Sequence, residues 1–183
     1  SKAEQIVIQV KGGKTGVRSI EFVGNVFYSS YRLKDVIKTR ESNLLSFLGG
    51  ADVYDPDRVE ADRDLIRRFY LKNGYADARV VAANAELDRD GSGFFVTFSI
   101  EEGELYSFGD VRIESSLAAI QPEALRGQLL TYSGQVYNGS DIDKTVEKLT
   151  LVVAEQGFAF ARVRPRATPD VASRSISLVY TID

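Results

Sequence analysis

The residues of this chain best equipped for chemistry are its carboxylates. Glu101, Glu102 and Glu104 surround Gly103 in one short turn, and Asp52, Asp55 and Asp57 crowd another stretch. Carboxylates grouped in this way hold hard cations or divide acid and base work between them. Glu101 with Asp77 is the pair that a carboxylate-based hydrolase would use. The chain contains no histidine and no cysteine, which excludes His/Cys zinc sites, Cys-His pairs and Ser-His-Asp triads. No cluster of polar and aromatic substrate contacts recurs around the acids. The glutamates therefore read as solvated charge and the three aspartates as helix capping, with no catalytic residue, no metal and no cofactor.

What must position these residues is a repeated passage. "YLKNGYADARV" (70–80) returns as "VAEQGFAFARV" (153–163), with Gly74 and Gly157 83 positions apart. The same offset pairs Tyr54 with Tyr137, Val59 with Ile142, Ile66 with Leu149 and Arg79 with Arg162. An internal repeat of this length means two copies of one folding unit. In the first copy, "VRSIEFV" (17–23) alternates as a strand, and "SYRLKDVIKT" (30–39) places Leu33, Val36 and Ile37 at helical spacing. A longer helix follows over 55–74, with Asp55 as N-cap, Pro56 at the first helical position and Gly74 as C-cap. Two strands joined by "DRDGSG" complete it. The second copy repeats the order: a strand over 108–113, a short helix over 121–130, a helix over 140–157 capped by Ser140, then a hairpin. The fold class is α+β: two tandem units, each β-α-α-β-β with a three-stranded mixed sheet covered on one face by two helices. The repeated passage is then a helix-to-strand corner.

Composition bounds the function. At 183 residues and 44% hydrophobic content the chain is long and apolar enough for two folded domains. Its net charge is -3, with lysine and arginine scattered, which gives no footprint for nucleic acid or anionic lipid. No apolar run approaches the ~20 residues of a membrane-spanning helix. The chain opens without methionine, as expected of an excised piece of something longer.

The copies differ in two informative places. The first-strand offset is 91 (Ile20 to Val111) against 83 later on, so the first copy holds about eight extra residues within 41–52. Leu44, Leu45, Phe47 and Leu48 make this insert apolar, which suits either a turn folded over its own core or a loop that touches a partner. In the second copy Pro165 and Pro169 lie in the second strand, which marks that strand as a sheet edge. By the repeat, residues 78–87 form an edge as well, and they carry no proline. An unguarded edge offers its backbone groups to an extended peptide.

The unit order, the "GYA" corner (74–76) and "EEG" (101–103) at the domain end resemble the POTRA (polypeptide-transport-associated) family. "VRSIEFVGN" (17–25), "YDPDRVEADRDLIRRFYLKNGYADARV" (54–80), "FVTFSIEEGELYSFGDVRI" (95–113) and "GQVYN" (134–138) are similar to the third and fourth such domains of bacterial outer-membrane assembly factors, alphaproteobacterial in character. The resemblance divides the chain into a remnant of a preceding domain (1–16), a first domain (17–104) and a second (105–183). It implies a periplasmic part of an outer-membrane protein, followed in its own chain by a further domain and a membrane barrel, and it implies no enzyme. The partners it implies are unfolded outer-membrane proteins and accessory lipoproteins, with a propeller lipoprotein at the first domain. Its binding strand maps by position onto Ala78, Arg79, Val80, Val81, Ala82, Ala83, Asn84, Ala85, Glu86 and Leu87. Arg79, Val81 and Ala83 are expected on one side and Val80, Ala82 and Asn84 on the other. Glu101, Glu102, Gly103 and Glu104 map to an interdomain hinge. Other POTRA carriers, a two-partner secretion transporter or a cell-division protein, are the nearest alternatives. A KH-type nucleic-acid module would need a G-x-x-G loop and a basic groove, and neither copy has both.

Overall fold

The computed structural model describes residues 15–43 and 50–183. The apolar insert residues Leu44, Leu45, Phe47 and Leu48 lie outside the described residues. The element order is β1 (Val17–Val23), α1 (Ser30–Val36), α2 (Pro56–Lys72), β2 (Arg79–Leu87), β3 (Phe94–Glu101), β4 (Ser107–Ser115), a 3-10 helix (Pro122–Gln128), α3 (Gly139–Glu155), β5 (Val163–Asp170) and β6 (Ser175–Ile182). The strands form two sheets, ordered β1-β3-β2 and β4-β6-β5. Two compact units result. Of the described residues, the first joins those up to Ile66 with Val80–Glu101, and the second joins Arg67–Arg79 with Glu102–Asp183. The corner after α2 thus groups with the second unit.

In the first unit β1 runs parallel to β3, Ile20 opposite Val96 and Phe22 opposite Phe98. In β3 the alternate residues Phe94, Val96, Phe98 and Ile100 are all buried. The β1 alternation was incomplete, since Val17 is fully buried although it is out of phase with Ile20 and Phe22. The register slips between Val17 and Ser19, and a bulge of this kind turns the preceding side chain to the other face. The second unit does the same 91 positions later. Phe108 and Leu178 belong to its core, Val111 packs against it, and the β4–β6 register slips between Phe108 and Val111.

Helix ends explain where sequence spacing overran. The first helix was expected to reach residue 39 but stops at Val36, with Ile37 extended. The next two amides leave the helix for a side chain: the Asp62 carboxylate accepts Lys38 N–H at 2.7 Å and Thr39 N–H at 3.0 Å. Residues 122–128 form a 3-10 turn rather than an α-helix. A segment this short, with Gly127 inside it, lacks the length and propensity for stable α-turns. α3 is capped by Asn138 rather than Ser140. The Asn138 side chain accepts from Ser140 N–H and Asp141 N–H, the usual reach of an N-cap oxygen. At α2 the reading holds, with Pro56 first and Asp55 accepting from Asp57 N–H at 2.9 Å.

The repeat also reveals one defect. Thr131 is buried and its hydroxyl lies 2.8 Å from that of Tyr180. Tyr180 sits opposite Ile113, as Phe98 sits opposite Phe22, so the first unit has a phenyl ring where the second has a phenol. Thr39, the threonine that follows α1 there, is 1% exposed and its hydroxyl has no hydrogen-bond partner among the described residues. A buried hydroxyl without a partner costs stability that a paired one does not. T39V is expected to be neutral or stabilising by up to about 1 kcal/mol, and T131V to be destabilising by about 1–2 kcal/mol. Urea unfolding of the two variants would reveal this opposite sign, and a loss for T39V as large as for T131V would contradict it.

Candidate functional site

The candidate binding element is an edge strand, so the question is which backbone groups each edge leaves open. β5 is the second unit's edge beside β6, and the sequence placed its prolines there. Arg162 and Asp183 exchange both backbone hydrogen bonds, at 2.7 and 3.0 Å, and the β5–β6 register continues without a shift to Asp170 opposite Ser175. In an antiparallel ladder such fully bonded pairs recur at every second residue. The even-numbered residues of β5 therefore aim their N–H and C=O groups at β6, and the odd-numbered ones aim them outward. Pro165 and Pro169 are both odd. They cost the ladder nothing and delete two of the outward donors that an added strand would need.

The opposite edges are partly covered. Beside β1, Val17 N–H donates to the Asp52 carbonyl at 2.6 Å, Ser42 N–H donates to the Val17 carbonyl at 2.7 Å, and Ile20 N–H donates to the Glu41 carboxylate at 2.9 Å. Burial raises the Glu41 pKa, but hydrogen bonds from the Lys34 ammonium and Ile20 N–H, with the lysine charge, outweigh it and hold the carboxyl below its ordinary value. The cover therefore stays ionised at neutral pH. At the start of β4, Phe108 N–H donates to Gln135 and Gly134 N–H to Phe108, at 2.7 and 2.8 Å.

β2 is the edge without proline. Its hairpin turn is closed by Asp88 N–H to the Gly93 carbonyl at 2.8 Å. Arg18 holds the turn from β1, through Asp88 at 2.6 Å and Ser92 at 3.0 Å. Ala78, just before the strand, is buried, as is Val80, while Arg79 and Val81 are exposed. The expected alternation then breaks. Ala82 and Ala83 are both half-buried, Asn84 and Glu86 are exposed, and Ala85 and Leu87 are half-buried. Ala83 accordingly does not share the open side with Arg79 and Val81. A phase change of this kind is what a β-bulge produces, and four small alanines gave sequence alternation nothing with which to detect it.

The acidic turn is structural. Glu102, expected to be solvated, is 6% exposed, and its carboxylate accepts the Tyr70 hydroxyl at 2.8 Å. Asp77 accepts the Tyr106 hydroxyl at 2.8 Å, which raises the phenol's pKa. Glu104 pairs with Arg174 at 3.3 Å, and Gly103 sits against Asp77. Glu101 is an exposed residue at the end of β3. Asp52 does not cap α2; its carbonyl serves Val17. Among the described residues no three carboxylates gather to hold a metal ion. The sequence missed Asp62 as an organising acid, although its place on the inner face of α2 was a usable signal.

Two tandem units, each with two helical segments and a three-stranded mixed sheet whose second strand lies at an edge, define the scaffold. Comparison with known proteins gives the family. The POTRA family profile, described as a surface antigen variable number repeat, matches residues 15–103 and 106–183, and the chain belongs to the POTRA family. It is 33% identical over 178 residues to the outer membrane protein assembly factor BamA of Neorickettsia risticii (strain Illinois), covering 97% of this chain and 24% of that protein. It is 26% identical over 181 residues to BamA of Nitratidesulfovibrio vulgaris, covering 97% and 23%. The chain thus spans about a quarter of the length of these relatives. In fold it is similar to the POTRA3-5 crystal structure of Haemophilus influenzae BamA, with a TM-score of 0.76 at 22% identity, over 92% of this chain and 66% of that one.

Proposed function

We propose that this chain is a periplasmic part of the outer-membrane β-barrel assembly machinery, in which it binds unfolded outer-membrane proteins and accessory lipoproteins. It works as a pair of POTRA domains, third- and fourth-like, over 17–104 and 105–183. Partners dock by β-augmentation, a partner strand pairing with the open backbone of β2. The observation that carries this reading is the contrast between the two equivalent edges. β5 spends prolines on its outward positions, whereas β2 keeps its donors.

Main-chain pairing is nearly blind to sequence, so one edge serves many substrates. Each bond contributes a net of about 0.5–1.5 kcal/mol, and ordering the incoming peptide offsets much of the sum. Binding is therefore weak and reversible, as a machine that releases every substrate requires. An alternating ten-residue β-strand peptide titrated into isotope-labelled chain is expected to shift backbone amides within β2 and to leave those of β5 unmoved. Ala85→Pro should reduce the β2 response at least several-fold while the β1 amides of the same sheet keep their shifts. Equal responses at β2 and β5, or none at millimolar peptide, would sink the proposal.

A further inference from the structure

On β2 the Val80 carbonyl is an occupied acceptor. Arg63, one turn before the end of the first unit's share of α2, donates its Nε–H to the Val80 carbonyl at 2.9 Å. Strand carbonyls lie in the plane of the sheet, either toward the neighbouring strand or away from it. Among the described residues β3 is the one strand bonded to β2, and its backbone fills the near side. The Arg63 side chain is 38% exposed and also reaches Glu60 at 3.6 Å, which puts the guanidinium on the solvent side of β2. We infer that Arg63 is a stop: it occupies the edge at Val80 and confines a docked strand to the stretch from Ala82 to Leu87. This rests on the strand-docking reading of β2 and adds to it the length and register of the occupant, an extended peptide of about six residues.

Two features support a dedicated role. First, the guanidinium is held at two points, Nε on the Val80 carbonyl at 2.9 Å and Nη1 3.6 Å from the Glu60 carboxylate, which fixes it at the strand. Second, the repeat solves the same problem differently. Val146 occupies the position of Arg63 in α3, so β5 has no arginine stop, and there prolines close positions along the strand instead. One edge is shut along its length and the other at one end. Because the Arg63 hydrogen bond is intramolecular, any peptide that extends past Ala82 must displace it, and residues beyond that point add little to affinity.

The test compares alternating peptides of six and ten residues on the wild-type chain, R63L and R63Q, by amide shifts. For wild type, both peptides should give footprints within 82–87 and affinities within about twofold of each other. In R63L and R63Q the longer peptide should extend its footprint to Val80 and Arg79 and bind roughly three- to tenfold more tightly, the worth of one or two added hydrogen bonds. The six-residue peptide should bind all three chains alike, which also reports that the variants fold. Binding with unchanged footprint and length dependence in both variants would overturn the stop while leaving strand docking intact. Absence of β2 shifts in every chain would remove strand docking itself, and the stop with it.

Discussion

Replacing Asp62 by alanine is expected to destabilise the first unit by about 2–5 kcal/mol, a large share of the stability of any small domain. Asp62 is fully buried, and its two oxygens accept the N–H groups of Lys38 and Thr39. The backbone turns extended at Ile37, so these two amides no longer reach the carbonyls one turn back. Alanine leaves two donors unsatisfied, each at about 1–3 kcal/mol, and removes a charge-assisted bond that is stronger than a neutral one. The repeat provides the internal control. Thr145 stands at the position of Asp62, is equally buried, and accepts Leu130 N–H at 3.1 Å through its hydroxyl. T145V removes one neutral acceptor and should cost about 1–2 kcal/mol. D62N keeps one acceptor oxygen but turns an amide donor toward the other N–H, so it should fall between wild type and D62A. Urea unfolding followed at resolved β3 and β6 amides gives the values, and exchange of the Lys38 and Thr39 amides reports the site. A D62A loss below about 1 kcal/mol would mean that water replaces the carboxylate.

The same pair of residues shows how far the sequence could be read. The repeat, the element order and the edge position of the second strands were legible, because Gly74 and Gly157, Asp55-Pro56 and the alternating β3 and β6 carry local signals. Asp62 was legible as a position on α2 but not as an acceptor, since its partners lie 23 and 24 residues away and no spacing rule connects them. The bulges at Val17–Ser19 and Phe108–Val111 were invisible for a related reason. One extra residue in a strand leaves its composition unchanged and alters only the register. Glu102 was misread because a run of acids looks solvated, whereas the Tyr70 hydroxyl that satisfies it sits on a different element. On the candidate site, the missing prolines of β2 were visible, but the outward aim of Pro165 and Pro169 required the ladder, and Arg63 required the fold.

The corner glycines separate backbone strain from packing. Gly74 and Gly157 have φ of +99° and +97°, so alanine at either position meets the left-handed penalty of about 1–2 kcal/mol. Around Gly157 no atom lies within 4 Å of where a Cβ would stand, and G157A should cost that amount and no more. At Gly74 the added carbon would lie 2.5 Å from Leu105 Cδ1 and 2.7 Å from Val136 Cγ1. Both are tips of side chains, which can yield. Yet the backbone beside them is fixed: Tyr106 N–H donates to the Gly74 carbonyl at 2.9 Å, and Tyr137 N–H donates to the Tyr106 carbonyl at 2.9 Å. Overpacking of this sort costs about 1–3 kcal/mol, so G74A should exceed G157A by about that margin. The Tyr106 amide should also exchange faster in G74A, because its acceptor is the glycine that moved. Y106F, which deletes the hydroxyl on Asp77 and leaves the ring, should lose about 1 kcal/mol and leave the Tyr106 amide protected. Equal losses for G74A and G157A would show that Leu105 and Val136 step aside freely, and that segment 102–107 is held by Tyr70, Asp77 and Arg174 rather than by the glycine. A larger loss for G74A would make the first copy of the repeated passage a packing site as well as a turn, which the second copy, with its exposed Phe160, is not.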